Sequence, residues 1–163
     1  MTLVERLQRQ LIAARELTER YLADFRTPAD WTHQVHPQAN HALWFAGHMS
    51  VTDNFFLSLM DSQRTTKLLG FDELFGMGSQ PTNDPAKYPA AESVVATMRE
   101  RRAQTLEFLS KLSDSDLQKK LPAGSPDFLS DFGSVFEMLI WHEGMHAGQL
   151  SVVRRSLGFG PLF

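Results

Sequence analysis

The stretch IWHEGMHAGQL, residues 140–150, places two histidines four residues apart in a segment with the spacing of an amphipathic helix. Residues i and i+4 lie on one side of an α-helix, about 6 Å apart along its axis. His142 and His146 can therefore turn both imidazoles toward one ion, at roughly the 2.1 Å of a zinc–imidazole bond. Burying them without partners would cost on the order of 1–3 kcal/mol per polar group. The pattern indicates either a metal site or a buried polar network.

The same letters match H-E-x-x-H, the helix signature of zinc proteases, in which Glu143 would be the general base. In the usual protease families the third ligand lies downstream of the second histidine. The residues after His146, AGQLSVVRRSLGFGPLF, contain no His, Asp or Glu. No segment has the alternation of a strand that could bind a peptide. The sequence therefore argues against a zinc protease, and a third ligand has to come from upstream.

Four histidines lie upstream, and one of them is the best third ligand. His41 and His48 are seven residues, about 10 Å along a helix, apart, so both cannot bind one ion. His48 lies within the apolar run LWFAGHMSV, where Gly47 permits close approach of another helix. His41 is expected in the first turn, solvated by water, and His33 and His36 are expected in a surface loop. We predict that His48 completes the site.

Apolar periodicity predicts four long helices and no strand. The first begins at a capping box of Thr2 and Glu5 and ends before Pro28. The others run from His41 to about Met60 with a cap near Asn40, from after Pro89 to Leu112, and from a start between Asp131 and Ser134 to Leu157. This pattern predicts an all-α fold, a four-helix bundle with a long crossover connection between helices 2 and 3. We expect one domain, residues 1–163.

Several segments carry more specific expectations. The apolar stripe of the second helix is expected to hold Trp44, Val51, Phe55 and Leu59, and the run RERR, residues 99–102, to form a solvated face. The connection, residues 63–89, carries Phe71, Phe75, Met77 and Tyr88. It is expected to act as a lid over the site, to pack as a stabilising flap, or to form a dimer contact. The apolar tail GFGPLF, residues 158–163, is expected to dock onto the helices or onto a partner subunit.

Composition excludes several classes of function. The 163 residues include no cysteine, so disulfides, cysteine–zinc sites and thiol nucleophiles are excluded. A net charge of −3 gives no electrostatic footprint for nucleic acid. The first residues, MTLVERLQRQ, lack the apolar core of a signal peptide, and no apolar run is long enough to span a bilayer. A cytoplasmic location is therefore expected.

Two segments resemble the DinB-like superfamily, NHALWFAGHM (residues 40–49) and WHEGMHAGQLSVVRRSLG (residues 141–158). Trp44, Gly47 and His48 match that family's W-x-x-G-H context, and His142, His146, Gly148 and Gln149 match its H-x-x-x-H-x-G-Q segment. The resemblance implies a four-helix bundle with a crossover and a three-histidine metal site made of His48, His142 and His146. The predicted order of helices resembles that family over essentially the whole chain.

The family's characterised members include bacillithiol- or mycothiol-dependent S-transferases, a mycothiol-dependent maleylpyruvate isomerase and proteins assigned as metal-dependent hydrolases. The resemblance implies one divalent metal (Zn, Ni, Fe or Mn), a low-molecular-weight thiol and a small-molecule substrate. Among the activities that the resemblance implies, we expect a thiol-dependent S-transferase-like activity. Hydrolase or isomerase activity at the same ion is the alternative. A non-enzymatic bundle with a structural or vestigial histidine cluster stays open, as does a homodimer.

Four neighbours of the histidines have two interpretations each. Gln149 is expected to bond a ligand's nitrogen or fix substrate, or else to make a structural bond across the bundle. Glu143 is a weak candidate for a general base, against a solvated or interhelical charge. Trp44 and Trp141 are expected to wall the site or to pack in the core. The catalytic group is therefore left unassigned, with Glu143 and Gln149 as the weak candidates.

Overall fold

The chain is all-helical. A computed structural model describes residues 1–162, and no strand occurs among them. The long helices are α1 (Leu3–Leu22), α3 (Ala42–Met60), α5 (Ala91–Leu109) and α6 (Phe132–Ser156), and the short helices α2 (Pro28–Trp31) and α4 (Phe71–Phe75) lie in connections. Phe163, the last residue of the predicted domain and tail, lies outside the described residues. Within residues 1–162, none of the helices is long and apolar enough to cross a membrane.

The four long helices pack as two extensive pairs, α3 with α5 and α1 with α6, and α3 also contacts α6. Buried apolar side chains form two clusters. One lies around the start of α3 and the end of α6, and includes Trp44, Met98 and Leu150. The other lies around the starts of α1 and α6, and includes Leu7 and Phe136. The sequence predicted these helices, and the Thr2–Glu5 capping box is confirmed.

A buried network of four charges lies between the two apolar clusters, with one residue from each long helix. Arg15, Asp53, Arg102 and Glu143 are each at most 6% exposed. Arg15 Nε lies 2.7 Å and Arg102 Nη2 lies 2.8 Å from the Glu143 carboxylate. The same arginines lie 3.2 and 3.0 Å from Asp53. Two positive and two negative charges cancel, and each charge has partners on more than one other helix.

Loss of one carboxylate from this network is expected to destabilise the fold strongly. Glu143→Gln keeps the size of the side chain but leaves Arg15 and Arg102 sharing Asp53 in a dry interior. Removing one partner of a buried ion pair typically costs about 3–5 kcal/mol. We expect urea unfolding in the presence of a chelator to show a loss of free energy in this range.

Glu107→Gln is the matched control for that measurement. Glu107 is an α5 residue whose carboxylate pairs with Arg64 and Lys111, and its side chain is 47% exposed. An exposed pair contributes at most about 1 kcal/mol, so this variant is expected to lose little stability. If both variants lost the same free energy of unfolding, the larger contribution of the buried network to stability would be contradicted.

Two sequence expectations about helix faces are wrong. In the run RERR, Arg101 and Arg102 are each only 3% exposed, because Arg102 pairs with Asp53 and Glu143 on other helices. Phe55, expected in a buried stripe, is 46% exposed. Helix α3 is apolar nearly all round and is buried on several sides, so one stripe does not identify its core face.

His41 is buried, and the expectation that water solvates it is wrong. It is 1% exposed and forms the N-cap of α3, where its Nδ1 accepts a hydrogen bond from the Trp44 N–H at 3.0 Å. The predicted cap near Asn40 is therefore one residue further along. The ring of Tyr88 packs edge-on against His41, 4.9 Å between centroids. Burial, partly offset by backbone carbonyls of Thr82 and Trp31, lowers the pKa of His41 to about 4.

His41 should make the stability depend on pH. Its pKa is about 4 in the folded chain, against roughly 6.5 for an unfolded histidine. The folded state binds fewer protons, so this contribution is present above about pH 6.5 and is lost as the pH falls toward about 4. His41→Asn keeps a capping side chain that does not titrate. We expect this variant to lose about 2 kcal/mol less than the native chain between about pH 7 and pH 5, measured by urea unfolding with a chelator.

The control for the His41 experiment is His36→Asn. His36 is exposed, so replacing it should leave the pH dependence of the native chain unchanged. If the His41→Asn and native chains lost equal stability on acidification, burial of a neutral His41 would be contradicted.

Candidate metal centre

The three histidines predicted as ligands come together in the structure. His48 lies on α3, His142 and His146 lie on α6, and each offers a ring nitrogen within 4.8 Å of the other two. The Nε2 atoms of His48 and His142 are 3.2 Å apart. Two imidazole nitrogens on one tetrahedral zinc ion would be about 3.3 Å apart, given bonds of 2.0–2.1 Å. The separation therefore suits two ligands of one ion.

His48 is held by the connection between α3 and α5. Its Nδ1 lies 2.8 Å from the carbonyl oxygen of Phe75, which can only accept, so Nδ1 carries the proton. The Nε2 lone pair then faces the other histidines. Phe75 is fully buried against α3, and a Cβ on Gly47 would lie 2.2 Å from the Phe75 ring. Glycine at this position is what lets α4 approach closely enough to bond His48.

Trp44 forms one wall of the histidine cluster. Its indole stacks on His48 with 4.3 Å between ring centroids, and its Nε1 donates to Ser79 Oγ at 2.8 Å. Trp141 is 61% exposed, so it neither walls the site nor packs in the core. Met77, in the same connection as Ser79, is 98% exposed, whereas Phe75 is docked. The connection thus packs against α3 over part of its length.

His146 is held within α6 and from the start of α3. Its Nδ1 lies 3.0 Å from Gln149 Oε1, and the same oxygen accepts from Asn40 Nδ2 at 3.2 Å. Because the Gln149 oxygen can only accept, Nδ1 of His146 carries the proton and donates it in this hydrogen bond. Nε2 of His146 then keeps its lone pair. Gln149 therefore bonds a candidate ligand's nitrogen and also bridges α6 to the segment before α3.

His142 is the least supported of the three. Its Nδ1 is buried and has no hydrogen-bond partner among the described residues. Burial, followed by the nearby His146 and His48, lowers its pKa to about 3. Burial also lowers the pKa of His48 to about 4 and lowers that of His146. All three imidazoles are thus neutral near pH 7, the state in which histidine binds a metal.

Glu143 belongs to the buried charge network. Its carboxylate is completely buried and accepts from Thr18 Oγ1 at 2.7 Å as well as from the arginines. Of the two interpretations of this residue, the interhelical charge is the one found. The described residues place no carboxylate in the histidine group, so its donor set is three neutral nitrogens. This set fits a divalent transition metal with open coordination positions.

Two surface cavities are formed by the connecting segments, and neither is lined by His48, His142 or His146. One, of about 460 Å³, lies against α3 and is lined by Val51, Asn54, residues 65–70, Asp72 and Glu73. Val51 is one turn after His48. The other, of about 360 Å³, is lined by residues 34–37 and 81–83. The larger cavity is mostly polar and falls in the size range of small-molecule sites.

Comparison with solved structures shows the fold. The crystal structure of a conserved protein from Enterococcus faecalis is similar, with a TM-score of 0.73 and 17% sequence identity. The similarity covers 95% of this chain and 96% of that one. No curated protein matches the sequence.

Comparison with family models identifies the family. The model described as the DinB superfamily matches residues 10–150, a range that contains the whole histidine cluster. Because this match covers most of its length, the chain belongs to the DinB superfamily.

Proposed function

We propose that this chain is a metal-dependent enzyme that binds one divalent ion through Nε2 of His48, His142 and His146. The observation that carries the proposal is the orientation of two of the rings. The Nδ1 protons of His48 and His146 are engaged by Phe75 and Gln149, so both lone pairs face one space. An acceptor on the far nitrogen is a common feature of histidine ligands.

The proposed architecture is a single-domain four-helix bundle, with residues 61–90 as the crossover connection. The packing of the four long helices in neighbouring pairs supports it. It places the histidines between α3 and α6, with Trp44 and the docked α4 excluding water from one side. The cytoplasmic location stays a prediction from the sequence.

The proposed reaction is transfer of a low-molecular-weight thiol to a small electrophile. A bound ion with three neutral ligands keeps its full charge and lowers the pKa of a bound thiol or water. The chain has no cysteine to compete for the ion. Its own residues orient two of the rings, and Trp44 and the docked α4 cover one side of His48. Hydrolysis or isomerisation at the same site is the alternative within the enzyme class.

A non-enzymatic bundle is the alternative from another class, and one observation favours it. His142 Nδ1 is buried and has no partner among the described residues, so this ring lacks the acceptor that commonly orients a histidine ligand. A structural or vestigial cluster does not require that acceptor. Metal content alone does not separate the two alternatives, so turnover has to be measured as well.

Metal analysis tests the site first. Protein purified without a histidine tag or chelator is expected to contain about one ion per chain, as three histidine ligands require. His146→Ala should lose this metal, whereas His36→Ala, an exposed histidine, should retain it. Mass spectrometry of the metal content gives the result. A native chain that stays metal-free after reconstitution with zinc, nickel or manganese would contradict the proposal.

Turnover by the metal-loaded chain tests the reaction. Thiol consumption is measured with bacillithiol or mycothiol and an electrophile such as an activated aryl halide, and ester or amide cleavage is measured without thiol. We expect metal-dependent formation of a thioether that is absent in His146→Ala and unchanged in His36→Ala. Cleavage without thiol would favour the hydrolase, and bound metal with neither activity would favour the non-enzymatic bundle.

A further inference from the structure

Helix α6 has an outer face that is apolar but has no partner within the described residues. Trp141, Met145 and Val152 are 61%, 40% and 56% exposed. The inner face of the same helix carries the histidines and Glu143. Large apolar residues gathered on one exposed helix face are typical of a surface that contacts another protein.

Two glycines lie in the middle of this face, and nothing in the described chain requires them. A Cβ on Gly144 or Gly148 would meet no atom within 4 Å, in contrast to Gly47, where it would collide with Phe75. Glycine inside a helix costs up to about 1 kcal/mol relative to alanine. A close approach by something outside the chain would account for two such residues in α6.

The two ends of the face carry opposite charges. Glu137 lies nine residues before His146 and Arg155 nine residues after it, both on α6. Eighteen residues are five helical turns, so the two charges share one side of the helix. Each charge is seven residues, or about two turns, from the nearer glycine, so the glycines lie on that side as well. Both are exposed, and neither has an ion pair among the described residues. The face is therefore negative at one end, apolar in the middle and positive at the other end.

We propose that this face binds a second copy of the chain, with the two α6 helices antiparallel around a two-fold axis at the level of His146. In this register Glu137 faces the partner's Arg155, and the symmetry repeats the pair. Gly144 faces the partner's Gly148, which lets the two backbones approach closely. Trp141 comes opposite the partner's Val152. A two-fold interface has to be self-complementary, and this charge order is self-complementary only when the helices are antiparallel.

The charge pattern distinguishes a second copy from an unrelated partner. An unrelated partner requires no symmetry between the two ends of the face. Here the midpoint between Glu137 and Arg155 is residue 146, and so is the midpoint between Gly144 and Gly148. The midpoint between Trp141 and Val152 lies within one residue of the same position. The inference is independent of the metal site, because the histidines lie on the opposite face of α6.

Charge reversal tests the proposed register. Glu137→Arg alone and Arg155→Glu alone should each place like charges opposite each other twice and weaken the dimer roughly tenfold. The double variant restores opposite charges with reversed order and should recover most of the affinity. Sedimentation velocity over a range of protein concentrations measures the dissociation constant. A native chain that is monomeric throughout, or a double variant no tighter than the singles, would overturn the proposal.

A leucine substitution tests the close approach separately. Gly144→Leu has open space in the single chain and should retain or increase the stability of the monomer while abolishing the dimer. The control is Ala103→Leu, an exposed position on α5, which should dimerise like the native chain. A dimer that tolerates Gly144→Leu uses another surface, and that result would equally overturn the proposal.

Discussion

The pairing of two buried carboxylates with two buried arginines is the constraint on which the rest of the structure depends. A single buried charge without a partner would cost several kcal/mol, so all four helices have to bring their charged residue to the same level. Asp53 follows His48 by five residues, and Glu143 is the neighbour of His142. Rotating α3 or α6 enough to separate the histidines would also withdraw a carboxylate from the arginines. The network therefore fixes the rotation of both helices that carry the candidate ligands.

With the helices held in this way, local hydrogen bonds fix the tautomer of two of the three rings. The Phe75 carbonyl and the Gln149 amide oxygen each accept a hydrogen bond from an Nδ1–H, which leaves the Nε2 lone pair facing the other histidines. Gly47 makes the first bond possible, because any larger residue would push the Phe75 ring away from α3. Rings that are oriented in advance lose less conformational entropy when they bind an ion.

Much of this arrangement could be predicted from the sequence, and the failures have two causes. Periodicity gave the all-helical class and the four long helices, and i, i+4 spacing with the apolar context of His48 gave the three histidines that converge. The burial of Arg102 and His41 was missed because it depends on groups from distant segments, Asp53 and Glu143 in one case and Tyr88 in the other. The exposure of Trp141 was missed because an apolar residue on a helix is assigned to the core by default.

The charged groups around the histidine cluster balance one another, and the rings themselves carry no charge. The two positive and two negative charges of the network cancel, and the pKa values of about 4 for His48 and about 3 for His142 keep those rings neutral. A ligand set with a carboxylate would offset part of a divalent charge, whereas this one offsets none. Electrostatic attraction is strong where water is excluded, as it is beside Trp44 and the docked α4. If the site binds a divalent ion as proposed, the charge of that ion would favour a thiolate or carboxylate compound over a neutral one.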